Sequence, residues 1–330
     1  MPKVKYDFIA IGDQTTDAFI HLRDAEVHSI SREKKLICMR FADKIPYDDV
    51  EVIPAVGNSA NAAICAARLG LKSALVSNIG GDRNGKDALA VYKKEGVATE
   101  FVRINQNQKT NYHYVLSFQG ERTILIKHER YIYRLPGVGE PAWIYLSSVG
   151  ENSLDFHKQI EKYLTRHPRI KLAFQPGTFQ IKFGKKKLAG IYRMTDTFFS
   201  NREEAQKITG SSGRNIKKLL DAVRKLGPEV VVITDGKRGA YVREPGGYWF
   251  MPAYPDPKPP LERTGAGDAF AATFTAALAR GLDIETALRW APINSMSVVQ
   301  HVGARTGLLN EQRIRKYLAK APASYHPKKI

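Results

Sequence analysis

Short apolar runs that end in a glycine or small polar residue alternate along this chain with segments of helical period. Tyr6-Asp-Phe-Ile-Ala-Ile-Gly12 is the first such run and reads as a buried parallel strand. An alanine-rich amphipathic helix is expected over Ser59–Leu69, a strand over Ser73–Ile79 and a helix over Gly85–Glu95. Further strands are expected at Trp143–Leu146, Lys171–Gln175, Thr197–Ser200 and Val230–Thr234. Helical stretches at Ser153–Thr165, Arg202–Thr209 and Ile216–Lys225 separate them. Gly239–Arg243 and Gly247–Met251 read as a late antiparallel pair, and long helices begin near Gly267, Ile284 and Glu311. Strands divided by helices predict a three-layer α/β architecture: a mostly parallel central sheet with helices on both faces. With 330 residues, 43% of them hydrophobic, residues 1–330 are read as one large domain.

Two stretches break the alternation. Residues about 17–53 and 108–130 are strand-like without intervening helices, and Gln119-Gly-Glu reads as a turn between Thr110–Phe118 and Arg122–Lys127. Both are expected to form a small β-sheet lid. Open parallel sheets bind ligands at the carboxyl ends of their strands, and a lid there would keep water from a reactive phosphate. The segment from His21 to Pro54 is longer than a minimal lid needs, which suggests a larger flap or a homodimer made by pairing lid sheets.

No apolar run approaches the ~20 residues needed to span a bilayer, and the N-terminus lacks the apolar core of a secretory signal. Cys38 and Cys65 stand in unrelated contexts, against a disulfide framework or a cysteine-ligated zinc. A cytoplasmic address without a membrane partner is expected. The net charge is +18, yet Lys185–Lys187, Lys217-Lys218 and the tail from Arg313 to Lys329 are short and scattered. They read as a solvated basic surface that attracts anionic substrates, not as a nucleic-acid interface.

The run Arg263-Thr-Gly-Ala-Gly-Asp-Ala-Phe270 carries the most chemistry. It sets two glycines and a carboxylate at the expected first turn of a helix. Backbone N–H groups there lack intrahelical partners, the dipole adds positive potential, and glycine admits a phosphate close to the backbone. Asp268 would repel a resting phosphate, but it can take a proton from a hydroxyl that attacks one. An anion cradle beside a base reads as phosphoryl transfer to an alcohol. Taken alone, the string also fits a capped tight turn.

Four further groups stand where strands give way to loops: Gly12-Asp13-Gln-Thr-Thr-Asp17, Val56-Gly57-Asn58-Ser-Ala-Asn61, Asn201-Arg-Glu-Glu204 and Thr234-Asp-Gly236-Lys-Arg-Gly239. Each alone is an ordinary turn. Together, from Gly12 to about Gly303, they resemble the ribokinase-like sugar kinases, the PfkB carbohydrate kinase family. Gly57–Gly85 and Thr264–Phe270 look like that family's two motifs.

The resemblance implies an ATP- and Mg2+-dependent kinase that phosphorylates a hydroxymethyl group of a sugar; a nucleoside kinase using a ribosyl 5′-hydroxyl is the alternative. A nonenzymatic sugar- or nucleic-acid-binding protein on the same fold is a third reading, against which the retained Asp268 argues. By the resemblance, Asp268 is the base, and Gly265, Ala266 and Gly267 hold the transferred phosphoryl group. Asn201 and Glu204 help place magnesium, Glu204 through water. Thr234, Gly236 and Gly239 form the nucleotide loop, and Asn294 lies on a helix bordering the adenine. Asp13, Asp17, Gly57, Asn58 and Asn61 bind the acceptor.

Three positions depart from the family's pattern. Glu262 replaces a common Asp and is followed by Arg263, which puts activation by a monovalent cation in doubt. Val56 replaces a glycine. Gln175-Pro-Gly-Thr178 stands where Asn or Asp usually precedes the proline, leaving a contact there open. His113, His128 and His301 lack ligand spacing and are expected to be structural or solvated. Tyr112 and Tyr114 share one face of a strand, an arrangement more often packing than stacking on a ligand. Whether they form a slot for a base with Phe19 and Phe41 stays open.

Overall fold

The computed structural model describes residues 5–31 and 35–330. Residues 1–4, and residues 32–34 of the 17–53 stretch, lie outside it.

The described strands are, in chain order, β1 Phe8–Ile11, β2 Thr15–Leu22, β3 Glu26–Ser29, β4 Lys35–Cys38 and β5 Tyr47–Val56. They continue with β6 Ser73–Gly80, β7 Val102–Asn105, β8 Tyr112–Phe118, β9 Glu121–Lys127, β10 Trp143–Leu146 and β11 Lys171–Phe174. The last are β12 Thr197–Asn201, β13 Val230–Thr234, β14 Ala240–Glu244, β15 Gly247–Met251 and β16 Lys328–Lys329. The helices are α1 Asn58–Arg68, α2 Arg83–Lys94, α3 Leu154–Arg166, α4 Thr178–Phe183 and α5 Ala189–Arg193. They continue with α6 Arg202–Thr209, α7 Ile216–Arg224, α8 Ala266–Ala279, α9 Ile284–Val298 and α10 Glu311–Ala319.

A ten-stranded sheet runs in the order β16-β15-β14-β13-β12-β11-β10-β1-β6-β7. From β13 through β7 every neighbouring pair is parallel, whereas β14, β15 and β16 turn back antiparallel. The strands β1, β10 and β11 are apolar and almost wholly buried, as strands covered on both faces must be. The chain winds outward from β1 first through β6 and β7, then through β10 to β13. The order therefore reverses beside β1, and a crevice opens outside the carboxyl ends of such strands.

Two apolar cores flank the sheet. One gathers Ile64, Tyr92, Phe199, Phe274 and Trp290 under α1, α2, α8 and α9; the other gathers Ile9, Phe156, Phe174, Tyr192 and Leu220 under α3, α5 and α7. Each buried Phe or Ile contributes about 1.5–3 kcal/mol. Alanines fill much of α1 and α8 and allow these two helices to pack closely against each other.

A separate four-stranded sheet, ordered β5-β2-β8-β9, and the β3–β4 hairpin occupy the two stretches that broke the alternation. It holds its own small core of Phe19, Ile53, Val56 and Val115, capped by Val302. Unanticipated elements are β7, α4, α5 and β16. Strand β7 buries only Val102 and lies at the sheet edge, so it lacks the apolar run that marks the inner strands. Helix α10 is nine residues rather than long.

Candidate active site

The carboxyl ends of β1, β11 and β12 and the starts of α1 and α8 bring the sequence-marked residues together. Asp268 lies in the first turn of α8, whose N-cap, Gly265, carries no side-chain cap. Gly265 has φ +79°, and a Cβ there would meet the Ala304 Cβ at 2.3 Å, so both backbone and space demand glycine. At Gly267 an added Cβ would meet nothing within 4 Å: the approach to this helix end is open.

Three amides converge on Asp268. Asn58 Nδ2 donates to Oδ1 at 2.9 Å, Asn61 Nδ2 to Oδ2 at 3.1 Å and Gln175 Nε2 to Oδ1 at 3.1 Å. The Tyr145 hydroxyl donates to Gln175 Oε1, which turns the Gln175 amide toward the carboxylate. The residue is half-buried. Burial pushes the Asp268 carboxyl up to about 6. The Asn61 and Gln175 donors pull the other way, while the negative charges of Glu204 and Asp17 reinforce the rise. Asn58 and Asn61, expected to bind the acceptor, direct their amide donors to Asp268 in this structure.

Asp13 and Asp17 are buried, at 5% and 7% exposure. Tyr133 donates to both Asp13 oxygens, at 2.9 and 3.1 Å, and His128 Nδ1 lies 3.1 Å from Oδ2. His113 Nδ1 lies 3.3 Å from Asp17 Oδ1 across the β2–β8 ladder, where the two residues are directly paired. Of the expectation that His113 and His128 are structural or solvated, the solvated part is corrected. Both approach the carboxylates expected to bind the acceptor, a relation that sequence spacing hides because it arises across strands. His301 does behave as expected, its Nδ1 bonded to the Ser297 carbonyl. Gly57, at φ +105°, turns the chain into α1 so tightly that a Cβ would lie 2.9 Å from the Asp13 carbonyl oxygen.

Asn201 and Glu204 form a reciprocal capping box at the start of α6. The Asn201 side chain accepts from Glu204 N–H at 2.8 Å, and Glu204 Oε2 accepts from Asn201 N–H at 2.9 Å. Burial pushes Glu204 upward in pKa, opposed by the Asn201 N–H. Thr234 ends β13, and Gly236–Arg238 forms a single 3₁₀ turn closed by Gly239. Within that turn Asp235 takes bonds from Arg238 and Arg202, whose guanidinium groups hold its carboxyl below the usual range. Neither arginine was singled out in the sequence.

Asn294 is corrected. It is fully buried, donating to Thr273 Oγ1 at 2.7 Å and accepting from Leu309 N–H at 2.9 Å. Its amide knits α8, α9 and the loop before α10 together, and none of it is exposed to a ligand. The resemblance set it on a helix bordering the adenine, but α9 is buried over most of its length.

Glu262 Oε2 accepts from Gly303 N–H at 3.2 Å, and Oε1 is buried without a hydrogen-bond partner. Burial pushes this carboxyl upward, opposed by the Gly303 N–H. Among the described residues no group of three or more His, Cys, Asp or Glu could hold a metal. No described helix is long and apolar enough to cross a membrane.

The sequence pattern of the pfkB family carbohydrate kinase matches residues 48–311. A nucleoside kinase of Methanothermobacter thermautotrophicus is 25% identical over 306 residues, 92% of each chain. A ribokinase of Bacillus subtilis is 26% identical over 80% of this chain and 87% of its own. Among solved structures, Arabidopsis thaliana ribokinase complexed with ribose and ATP superposes with a TM-score of 0.78 at 20% identity, covering 96% and 99% of the two chains. A putative ribokinase II from E. coli in complex with ATP and Mg2+ gives 0.74 at 16% identity, covering 95% and 99%. With that pattern spanning most of its length and this fold beneath it, the chain belongs to the pfkB family of carbohydrate kinases.

Proposed function

We propose that the protein transfers the γ-phosphoryl group of ATP to a hydroxymethyl group of a sugar, with Asp268 as general base. The supporting observation is the placement of Asp268 itself: first turn of α8, three amide donors around it, open space over Gly267. The acceptor O–H gives its proton to Asp268 as its oxygen bonds to the γ-phosphorus. The bond to the β–γ bridging oxygen breaks, and ADP leaves with those electrons. Backbone N–H groups of Gly265, Ala266 and Gly267 receive the charge spreading over the phosphoryl oxygens. Thr234, Gly236 and Gly239 lie along the nucleotide's path, and Glu204 would hold magnesium through water. Bound there, magnesium would neutralise phosphate charge. No monovalent cation enters this mechanism.

In this reading the four-stranded sheet acts as the lid. Its edge strand β9 exposes Ile124, Leu125 and Ile126, which suits pairing with the lid of a second copy. A nucleoside acceptor is the alternative, supported by resemblance to the archaeal nucleoside kinase. Against it, the four candidate aromatics do not gather: Phe19 is packed in the small core and Phe41 is 99% exposed. Tyr112 and Tyr114 touch only each other among the four, with centroids 5.1 Å apart. ADP release with ribose, fructose, ketodeoxygluconate, adenosine, cytidine and guanosine tests the choice. Turnover of sugars above nucleosides is expected, and turnover of nucleosides alone would transfer the assignment.

A further inference from the structure

Three groups around the expected acceptor site are left incomplete. Asp17 Oδ1 and His113 Nε2 are both buried without a hydrogen-bond partner, and so is Asn61 Oδ1 on α1. A buried polar atom without a partner is costly, which a folded protein tolerates where a ligand completes the set. His113 Nδ1 lies 3.3 Å from Asp17 Oδ1, which leaves Nε2 as the ring atom without a protein partner. Asp17 Oδ1 and Asn61 Oδ1 present lone pairs, and the imidazole offers a ring nitrogen beside Asp17. Such a set calls for hydroxyl donors.

The second imidazole has a different duty. His128 follows β9 and contacts Asp13, which follows β1, so this pair joins the small sheet to the main one. Phe179 packs edge-on against the His128 ring, with centroids 5.5 Å apart, and the His113 ring lies 5.2 Å away on another side. Tyr133 holds Asp13 from below through both oxygens.

We propose that His113 is a specificity-determining residue that reads, through Nε2, an acceptor hydroxyl beside the one read by Asp17, while His128 positions Asp13. The proposal rests on the kinase reading above and extends it to residues outside the family's motifs. It requires a neutral polyhydroxyl acceptor. An acidic sugar would set its carboxylate against a wall of lone pairs.

The test is steady-state kinetics with calorimetric binding of D-ribose, D-fructose, their monodeoxy analogues and D-gluconate. It is run on the full chain, on His113→Asn, which keeps an amide nitrogen near Nδ1 and removes Nε2, and on His113→Gln, which keeps a polar atom near Nε2. His113→Asn should raise the acceptor KM by about tenfold or more, the weight of one lost hydrogen bond, with ATP KM and melting temperature near wild type. It should also level the preference for the parent sugar over one monodeoxy analogue, and His113→Gln should restore most of that preference. His128→Phe should weaken the acceptor alone. Binding of gluconate above the neutral sugars, binding of no neutral sugar, or an unchanged acceptor KM in His113→Asn would overturn the proposal. Tight sugar binding without ADP release would contradict the kinase reading and leave His113 in place as a sugar-reading residue.

Discussion

Asn58 and Asp268, 210 positions apart in the chain, are joined by a 2.9 Å hydrogen bond at the facing starts of α1 and α8. That bond ties the segment after the small sheet to the helix end that cradles an anion. Asn61 and Gln175 supply the donors that partly offset the effect of burial on Asp268.

Activity should therefore follow the ionised fraction of Asp268. A base with its pKa at about 6 is charged above that pH, so kcat should fall roughly tenfold per unit as pH drops below 6. Gln175→Met removes a donor and should move that limb to higher pH. A pH–rate profile checks both, and a limb that moves downward would contradict the assignment.

Stability should carry the opposite sign. The folded Asp268 holds its proton at about 6, above the ordinary 3.8, so protonation favours the folded state as pH falls from 6 toward 4. Above 6 the enclosed charge is a net cost. Asp268→Asn should melt higher than wild type at pH 8, with the difference shrinking toward pH 5.

The two glycines of the turn should separate folding from function. Gly265→Ala places a methyl against Ala304 and an alanine at φ +79°, so it should lose about 1–2 kcal/mol of stability or more. Gly267→Ala meets no atom within 4 Å and should keep its melting temperature. It should still lower kcat/KM for ATP about tenfold, because the methyl occupies the phosphate's approach. Thermal melts beside ATP kinetics distinguish the two.

Asn294→Ala should behave as a core variant. It strands the Thr273 hydroxyl and the Leu309 N–H in a fully buried place, at about 1–3 kcal/mol. The melting temperature should drop while ATP KM stays within about twofold at 25 °C.

Asp17→Ala should raise the acceptor's KM strongly and that of ATP little, since the carboxylate pairs with β8 of the small sheet rather than the nucleotide loop. Equal effects on both substrates would show that the acceptor pocket lies elsewhere.

The parallel sheet was legible because each inner strand is an apolar run closed by a turn residue, as in Tyr6–Gly12 and Val230–Thr234. Asp268 and Gly265 were legible because local rules govern a helix start. What escaped was made by pairing at a distance. Register sets His113 beside Asp17, a loop carries His128 to Asp13, and the Tyr145 hydroxyl aims Gln175. Asn294 was assigned by resemblance to a position on a helix, and resemblance carries no information on how far α8, α9 and the loop before α10 close over it. Strand β7 escaped because an edge strand carries little apolar pattern.

The most direct test compares Asp268→Asn with wild type in two numbers, kcat on the best sugar and Kd for ATP. The account predicts that kcat falls by about 100-fold or more while Kd stays within a few-fold, since the amide keeps the shape and cannot accept the proton. A variant that turns over at the wild-type rate, or whose chief loss is nucleotide binding, would contradict it.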